Sequence, residues 1–273
     1  MLVDAHLHVW HGMQNYPNPL ATIVSPNSDI PVELLIEYMT EHYVDRAVLV
    51  QPTYPGEDNS YVAECAAARP DQFAAVCVVD PRTPGAEDRL EFWVRERGCR
   101  GLRLRPRVPA ESAIFGNPAT FPLWERAGDL KIAINILANP EHVAAVTSLA
   151  DRFSEVPILI DHMAHPNVSA GAHSAEFQAL LALKRFPHIY IKPTGYYYYS
   201  RQAYPYTDCS DFFRALYDSF GAARLIWGSD FPHVLLKSGY QRNLLLQQRA
   251  YPFLSSSDLA LIMGENAARL YWH

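Results

Sequence analysis

The 273-residue sequence predicts an α/β protein built as a (β/α)8 barrel of the TIM type. Its length is close to the ~250 residues typical of that fold. Eight short apolar segments alternate with segments of helical periodicity, and continuous apolar strands joined by helices are typical of a parallel sheet covered on both faces. An open doubly wound sheet is the alternative, but the chain has neither a Gly-x-Gly-x-x-Gly motif nor a P-loop to support a nucleotide site.

The first half of the chain supplies four predicted strands. Its apolar start is the first, and a loop rich in proline and asparagine follows from His11 to Pro31. A loop of that length in a compact domain is usually functional, often as a lid. The next strands are predicted over 45–51, 73–81 and 99–106, and the helices over 31–42, 59–69, 86–97 and 121–129.

The second half repeats the same unit. Asn139-Pro140 places a capping residue before a proline at the first helical position, which predicts the start of a helix there. Strands are predicted over 131–137, 157–162, 188–192 and 224–230, and further helices over 174–186, 208–220, 240–250 and 257–272. No linker or low-complexity segment divides the chain, so we expect residues 1–273 to form one domain.

Composition narrows the class of partner. The net charge of −6 comes without a basic block, which disfavours nucleic acid and acidic membranes and favours a small-molecule substrate. Neither a secretory signal nor an apolar run near the ~18 residues of a membrane span is present, so we expect a soluble, cytoplasmic protein. The four cysteines form no Cys-x-x-Cys pair, which disfavours a disulfide framework and a zinc ribbon. A homo-oligomer is compatible with the sequence.

The first strand carries the motif Asp4-x-His6-x-His8. Because side chains alternate along a strand, we expect Asp4, His6 and His8 to share one face. Two neutral imidazoles spaced in this way can converge on one divalent ion if other ligands come from elsewhere. The alternative is a pair of hydrogen-bonded surface histidines, in a chain that contains eleven histidines.

Ionisable residues recur where other predicted strands end. His162 ends the sixth strand, Lys192 ends the seventh and Asp230 ends the eighth. In a TIM barrel the carboxyl ends of the strands carry the active site. A carboxylate at such a position needs a metal, a cation or a catalytic role to offset its desolvation, which favours a function for Asp230. The structural alternatives are a core histidine for His162 and a simple ion pair for Lys192.

Candidates for substrate binding follow strands four and seven. Arg103 and Arg105 alternate on strand four and so share a face. A guanidinium can bind both oxygens of a substrate carboxylate, although either arginine could instead be structural. The tyrosine run 196–199 would line the loop after strand seven, where it either walls a pocket or simply packs the loop.

Taken in their order along the chain, these motifs resemble the amidohydrolase-related family of the amidohydrolase superfamily, and in particular its pyrone-dicarboxylate hydrolases and sugar lactonases. The resemblance spans essentially the whole chain. It rests on Val-Asp-Ala-His6-x-His8-x-Trp, Gly-Leu-Arg103-Leu, Asp-His162-Met, Lys192-Pro-Thr-Gly and Trp-Gly-Ser-Asp230-Phe-Pro-His. It implies a distorted (β/α)8 barrel of the metallo-dependent hydrolase type that hydrolyses a small ester or lactone.

The resemblance also implies roles for individual residues. His6, His8, His162 and Asp230 match the family's histidine and aspartate positions, both as catalytic groups and as ligands of one Zn-like divalent ion. Arg103 matches an arginine that holds a substrate carboxylate. Arg105 and Lys192 are further candidates for contacting substrate.

Two departures from the family pattern bear on these roles. Asn135 stands about where metal-dependent members of the superfamily place a histidine or a bridging lysine, which argues against a two-metal site. Tyr198 stands about where many relatives carry an arginine, and Arg201 could substitute for it. Tyr198 and Arg201 are therefore candidates for substrate binding.

The leading hypothesis is a hydrolase that opens a small lactone or cyclic ester bearing a carboxylate. Asp230 would deprotonate the attacking water, and the histidines would polarise the carbonyl, either directly or through one divalent ion. A metal-free site remains the alternative, because the pyrone hydrolase that the chain resembles works without a metal. A metal-dependent decarboxylase could use the same residues and would release carbon dioxide. A barrel that binds a ligand without catalysis is the third hypothesis.

Overall fold

Seven parallel strands form the central sheet of the computed structural model, which describes residues 1–12, 28–52, 56–106 and 114–273. Each strand pairs in parallel with the next one along the chain, which requires a crossover connection after every strand. The strands are β1 (Val3–Leu7), β2 (Arg46–Val50), β3 (Phe73–Val78), β4 (Gly101–Leu104), β5 (Ala133–Ile136), β6 (Ile158–Ile160) and β7 (Ile189–Ile191).

Helices follow the strands, as the sequence predicts. Most of the predicted lid loop between His11 and Pro31 lies outside the described residues. None of the described helices is long and apolar enough to cross a membrane. The helices are α1 (Val32–Glu41), α2 (Ser60–Ala68), α3 (Ala86–Arg95), α4 (Phe121–Asp129), α5 (Val143–Arg152), α6 (Ala175–Leu181), α7 (Tyr196–Tyr199), α8 (Ser210–Phe220), α9 (Tyr240–Arg249), α10 (Ser256–Ala260) and α11 (Asn266–Tyr271).

The eighth predicted strand is not a regular strand. Residues 225–231, here called the bridging segment, contact both edges of the sheet through single bridges, Leu225 with Ile191 and Phe231 with Leu7. Asp230 has a φ of 59°, which an extended strand does not allow. The prediction of eight strands is therefore confirmed for seven, and the curled sheet with its bridging segment is consistent with a distorted TIM barrel.

Apolar side chains on one face of the curled sheet form a buried cluster. We call this cluster the apolar layer. The opposite faces of the strands pack against the helices in a second, larger cluster. The apolar layer consists of Val3, Ala5, Val48, Val50, Ala74, Val76, Ala133, Leu159 and Ile226, with Ala267 and Tyr271 from the α11 helix.

A β-bulge interrupts β1 within its histidine motif. Asp4 pairs with Ala47 of β2, but Leu7 already pairs with Leu49, so three steps along β1 correspond to two steps along β2. A bulge of this kind shifts the alternation of side chains by one position. The side chains before the bulge and those after it therefore alternate between the two faces of the sheet in opposite phase.

Because of the bulge, the prediction that Asp4 shares a face with His6 and His8 is wrong. The two histidines face the barrel interior, whereas the Asp4 carboxylate accepts hydrogen bonds from the Ser229 backbone N–H and the Tyr240 hydroxyl, both at 2.8 Å. Burial raises the pKa of Asp4 to about 6 although these hydrogen bonds oppose the shift. Asp4 thus ties β1 to the bridging segment and to the α9 helix instead of contributing to the histidine cluster.

Candidate active site

Three histidines and one aspartate meet at the carboxyl ends of the strands, as the sequence predicts. His6 lies on β1, His8 directly after it, His162 after β6 and Asp230 in the bridging segment, and all four are buried. Nε2 of His8 lies 3.5 Å and Nε2 of His6 lies 3.7 Å from Oδ1 of Asp230. The ring centroids of His6 and His162 are 4.8 Å apart. We call these four residues the histidine cluster.

A left-handed turn after β6 presents His162 to the cluster. The φ angles of His162, Met163, Ala164 and His165 are 53°, 53°, 55° and 51°. A left-handed conformation costs roughly 1–2 kcal/mol for each residue that has a Cβ atom. Nδ1 of His165 contacts the Ala138 carbonyl at 3.1 Å, which helps to hold the turn. Because strained backbone concentrates at functional sites, the turn favours a functional His162 over a core histidine.

The hydrogen bonds of His8 define where its proton lies. Its Nδ1 is 2.8 Å from the backbone carbonyl of Val50, which can only accept a hydrogen bond, so Nδ1 carries a proton. Burial lowers the pKa of His8, which keeps the ring neutral near pH 7. Nε2 therefore bears a lone pair, and this lone pair faces the Asp230 carboxylate. Two acceptors face each other at 3.5 Å.

His6 has two competing neighbours on one side of its ring. Its Nδ1 lies 3.2 Å from Nζ of Lys192 and 3.3 Å from Oδ1 of Asp161. Its Nε2 is buried, and no described residue forms a hydrogen bond with it. Burial lowers the pKa of His6 to about 4, so the ring is neutral at pH 7.

Charged residues lie beneath the histidine cluster and above the apolar layer. Arg103 donates through Nε to Oδ2 of Asp161 at 3.2 Å, and Lys192 contacts Oδ1 of the same carboxylate at 3.1 Å. Lys192 also donates to Oδ1 of Asn135 at 2.6 Å. We call Arg103, Asn135, Asp161 and Lys192 the charged layer. Burial raises the pKa of Asp161, but Lys192, His6 and Arg103 outweigh this effect and hold the pKa well below its usual range.

Tyr197 fixes the catalytic candidate Asp230. The Tyr197 hydroxyl donates to Oδ2 of Asp230 at 2.5 Å, which leaves Oδ1 facing the histidines. Burial raises the pKa of Asp230, but the charge interactions with His162, His233 and His6 oppose this effect, and the pKa lies well below its usual range. Asp230 is therefore ionised at neutral pH.

Three members of the histidine cluster, His6, His162 and Asp230, are placed to hold a divalent metal ion. The ligand atoms of His6, His162 and Asp230 lie within 4.8 Å of one another, and those of His8, Asp230 and His233 form a second such group. Tetrahedral ligands about 2.0–2.1 Å from zinc are about 3.3 Å apart. The separations of 3.5 and 3.7 Å between the two Nε2 atoms and Asp230 are close to that value. An ion would also give the Nε2 atom of His6 the partner that it lacks.

Arg103 and Arg105 line a cavity beside the charged layer, together with Glu57 and residues 78–82. The acidic side chains of this cavity have cationic partners: Glu57 contacts Arg89 at 3.2 Å, and Asp80 contacts Arg82 at 2.5 Å. Because these acids are neutralised, Arg103 and Arg105 suit an anionic group. The structure thus brings both arginines to one cavity, and their role in substrate binding stays a prediction.

The other predicted substrate residues are placed differently. Tyr198 is 45% exposed, and its ring centroid lies 6.1 Å from that of His162, at the entrance of the cluster. Lys192 is fully buried next to His6, where it forms the ion pair that the sequence left open as the structural alternative to substrate binding. Arg201 is exposed, and its Nη1 donates to the Ser169 hydroxyl at 3.0 Å, so the structure does not bring it to the cluster.

Sequence reasoning assigned no individual role to Asp161, Thr194 or His233, and it included Tyr197 only as a member of the tyrosine run 196–199. Nδ1 of His162 contacts the Thr194 hydroxyl at 2.8 Å, and the rings of His8 and His233 are 5.7 Å apart. Asp161, Thr194 and His233 all lie within motifs that carry other site residues. Their proximity to a predicted site residue was the only available signal.

Comparisons with known proteins agree with this arrangement. The amidohydrolase family profile matches residues 3–272. An L-fucono-1,5-lactonase from Burkholderia ambifaria is 27% identical over an alignment of 277 residues, covering 98% of this chain and 94% of that protein. A 4-sulfomuconolactone hydrolase from Rhizobium radiobacter is 30% identical over 239 residues, covering 87% of this chain and 76% of that protein.

A solved structure shows the same fold. An amidohydrolase from Burkholderia multivorans, crystallised with bound zinc, matches with a TM-score of 0.86 at 24% identity, covering 100% of this chain and 99% of that one. The family profile spans nearly the whole sequence and confirms the resemblance drawn from the motifs. The chain belongs to the amidohydrolase family.

Proposed function

We propose that the protein is a hydrolase that opens a small lactone or cyclic ester bearing a carboxylate. The observation that carries the proposal is the contact between His8 and Asp230, in which an imidazole lone pair faces an ionised carboxylate at 3.5 Å. A cation between the two groups would relieve their repulsion. Such a cation, next to a carboxylate, suits the attack of water on a carbonyl. The lactone hydrolases among the relatives support this choice of reaction.

One Zn-like divalent ion would be held by His6, His8, His162 and Asp230. When bound, such an ion polarises a carbonyl and lowers the pKa of bound water. The alternative, in which the histidines donate hydrogen bonds directly to the substrate carbonyl, fits His8 poorly. Its proton is already on Nδ1 and is donated to Val50, so a neutral His8 has no N–H to offer at Nε2.

Asp230 acts as the base in this proposal. The low pKa of Asp230 keeps its carboxylate ionised but makes it a weak base. Asp230 can therefore remove a proton only from a water molecule whose own pKa is lowered. The hydrogen bond from Tyr197 directs Oδ1 of Asp230 toward the histidines. The proton taken from water would then pass to the ring oxygen that leaves the carbonyl.

The cavity beside the charged layer would hold the substrate carboxylate. Arg103 is positioned by Asp161, and both Arg103 and Arg105 line the cavity. Tyr198 would contact the substrate at the entrance. Contacts of Lys192 and Arg201 with the substrate remain predictions from the sequence.

The test is a panel of lactones with and without a carboxylate, followed by NMR detection of the ring-opened acid. We expect hydrolysis of carboxylate-bearing lactones, and loss of that activity in protein treated with EDTA. Arg105→Gln should raise KM for the acidic lactones and leave KM for neutral ones unchanged. Release of carbon dioxide from an acidic substrate without ring opening would instead establish the decarboxylase alternative. Hydrolysis unaffected by EDTA, in protein with well under one equivalent of metal, would exclude the ion.

Two structural proposals accompany the function. We infer that the bridging segment acts as the eighth strand of a closed barrel, because the Ala5 and His8 backbone N–H groups donate to the carbonyls of Trp227 and Phe231 at 3.2 and 2.7 Å. We also infer that residues 1–273 form one domain. Protease digestion should then yield no stable fragment of intermediate size.

A further inference from the structure

One atom of the buried His6 imidazole, Nε2, has no hydrogen-bond partner among the described residues. Leaving a buried polar atom unpaired is costly. On the other side of the ring, Oδ1 of Asp161 lies 3.3 Å from Nδ1 of His6 and 3.1 Å from Nζ of Lys192. Lys192 and Asp161 are therefore both close enough to bind Nδ1, and the form of the ring that they select determines what Nε2 can bind.

The two neighbours of Nδ1 require opposite forms of the neutral ring. The Lys192 ammonium has only donors, so a hydrogen bond from it requires a lone pair on Nδ1 and places the ring proton on Nε2. The Asp161 carboxylate has only acceptors, so a hydrogen bond to it requires the proton on Nδ1. The distances from Nδ1, 3.2 Å to Lys192 and 3.3 Å to Asp161, are nearly equal.

We propose that Lys192 and Asp161 form a tautomer switch for His6, driven by a divalent cation at Nε2. Without the cation, Lys192 donates to Nδ1 and the ring proton is on Nε2. When the cation binds Nε2, that proton leaves and one proton is taken up on Nδ1, where it is donated to Asp161. The ring stays neutral, and no net proton is released by His6.

The charged layer is suited to this switch. Lys192 keeps a second acceptor in Asn135, at 2.6 Å, when it gives up Nδ1. Asp161 keeps its hydrogen bond from Nε of Arg103, at 3.2 Å, in both forms. No side chain needs to move by more than a rotation of the ammonium group. Asp161 and Lys192 are positioning residues in this proposal, since they act on the cation through His6.

The inference rests on the proposed metal site but not on the lactone substrate. It is tested by 15N NMR of the histidine side chains, in protein treated with chelator and in protein titrated with Zn²⁺. The resonances of His6 are identified by their absence from the spectrum of His6→Gln. We expect a proton on Nε2 without Zn²⁺ and on Nδ1 with it. A proton on the same nitrogen in both samples, or no binding of Zn²⁺, would overturn the proposal.

Two variants should change Zn²⁺ affinity in opposite directions. Asp161→Asn weakens the acceptor for the Nδ1 proton, and loss of such a supporting partner typically lowers metal affinity about 10–100-fold. Lys192→Met removes the competing donor and a nearby positive charge, so it should leave the affinity equal or higher and show the Nδ1 proton even without Zn²⁺. A merely structural role would lower the affinity in both variants, and that result would contradict the switch.

Asp4→Asn is the matched control. Asp4 is also a fully buried carboxylate next to His6, but it contacts the His6 backbone N–H instead of the ring. We expect it to leave the tautomer of His6 unchanged in both samples; a switch lost equally in Asp4→Asn and Asp161→Asn would contradict the assignment to Asp161. If the wild-type switch occurs but no lactone is hydrolysed, the proposed function fails while the switch stands.

Discussion

The short segment from Leu159 to Asp161 contributes to two neighbouring layers of the interior. Leu159 itself belongs to the apolar layer, and Asp161, two positions further on, belongs to the charged layer. Both side chains are fully buried. Leu159 is stabilised by its removal from water, whereas Asp161 is buried at a cost that its cationic partners must offset. Equal burial therefore has different consequences in the two layers: the apolar layer stabilises the fold, and the charged layer positions the side chains of the site.

The largest effect is expected in the histidine cluster, which lies next to the charged layer. Asp230→Asn should lower kcat by about 10²–10⁴-fold, the usual contribution of a general base, and leave the fold intact. Turnover of a hydrolysed lactone and thermal unfolding, measured on the same preparation, check this. Near-normal turnover would remove Asp230 from the mechanism.

The opposite pattern is expected in the apolar layer. Leu159→Ala should lower the free energy of unfolding by about 2–5 kcal/mol, because it opens a cavity in a close-packed interior. Turnover per folded molecule should change little. Urea denaturation measures the stability, and Leu159→Met, which nearly conserves volume, is the control. If turnover falls as steeply as stability, the two layers are not separable.

A smaller effect is expected at Tyr197, which supports the site without belonging to either layer. Tyr197→Phe removes a hydrogen bond to an ionised carboxylate, a bond worth about 1.5–3 kcal/mol, so we expect about a tenfold or greater loss in kcat. Tyr196→Phe is the matched control, because Tyr196 lies in the same helix but its hydroxyl accepts from Nε2 of Gln247 at 3.3 Å. Equal losses in both variants would show that Asp230 is not held through Tyr197.

The smallest effect is expected where the two layers meet. The Tyr271 hydroxyl, in the apolar layer, donates to Oδ1 of Asn135 in the charged layer at 2.9 Å. Asn135 keeps its hydrogen bond from Lys192 when this one is lost. Tyr271→Phe should therefore cost about 1 kcal/mol of stability and leave turnover nearly unchanged. A large loss of turnover in steady-state assays would mean that the apolar layer also sets the geometry of the site.

The sequence by itself determined the alternation of strands and helices and the four members of the histidine cluster. Apolar runs and helical periodicity are local signals, which is why seven strands lie where they are predicted. His6, His8, His162 and Asp230 were found because polar residues at strand ends converge wherever parallel strands are joined in order.

Only the tertiary structure decided which side chains face each other. The bulge that turns Asp4 away from His6 depends on the register between β1 and β2, which no local pattern encodes. The choice of Tyr197 over Tyr198 as the partner of Asp230 depends on the one-turn α7 helix. The pairing of Asp161 with Arg103 joins residues 58 positions apart. Contacts between residues so distant in sequence are set by packing of the whole chain. Local preferences determine which side chains share one face of a strand, but they do not determine which side chains of other strands these contact.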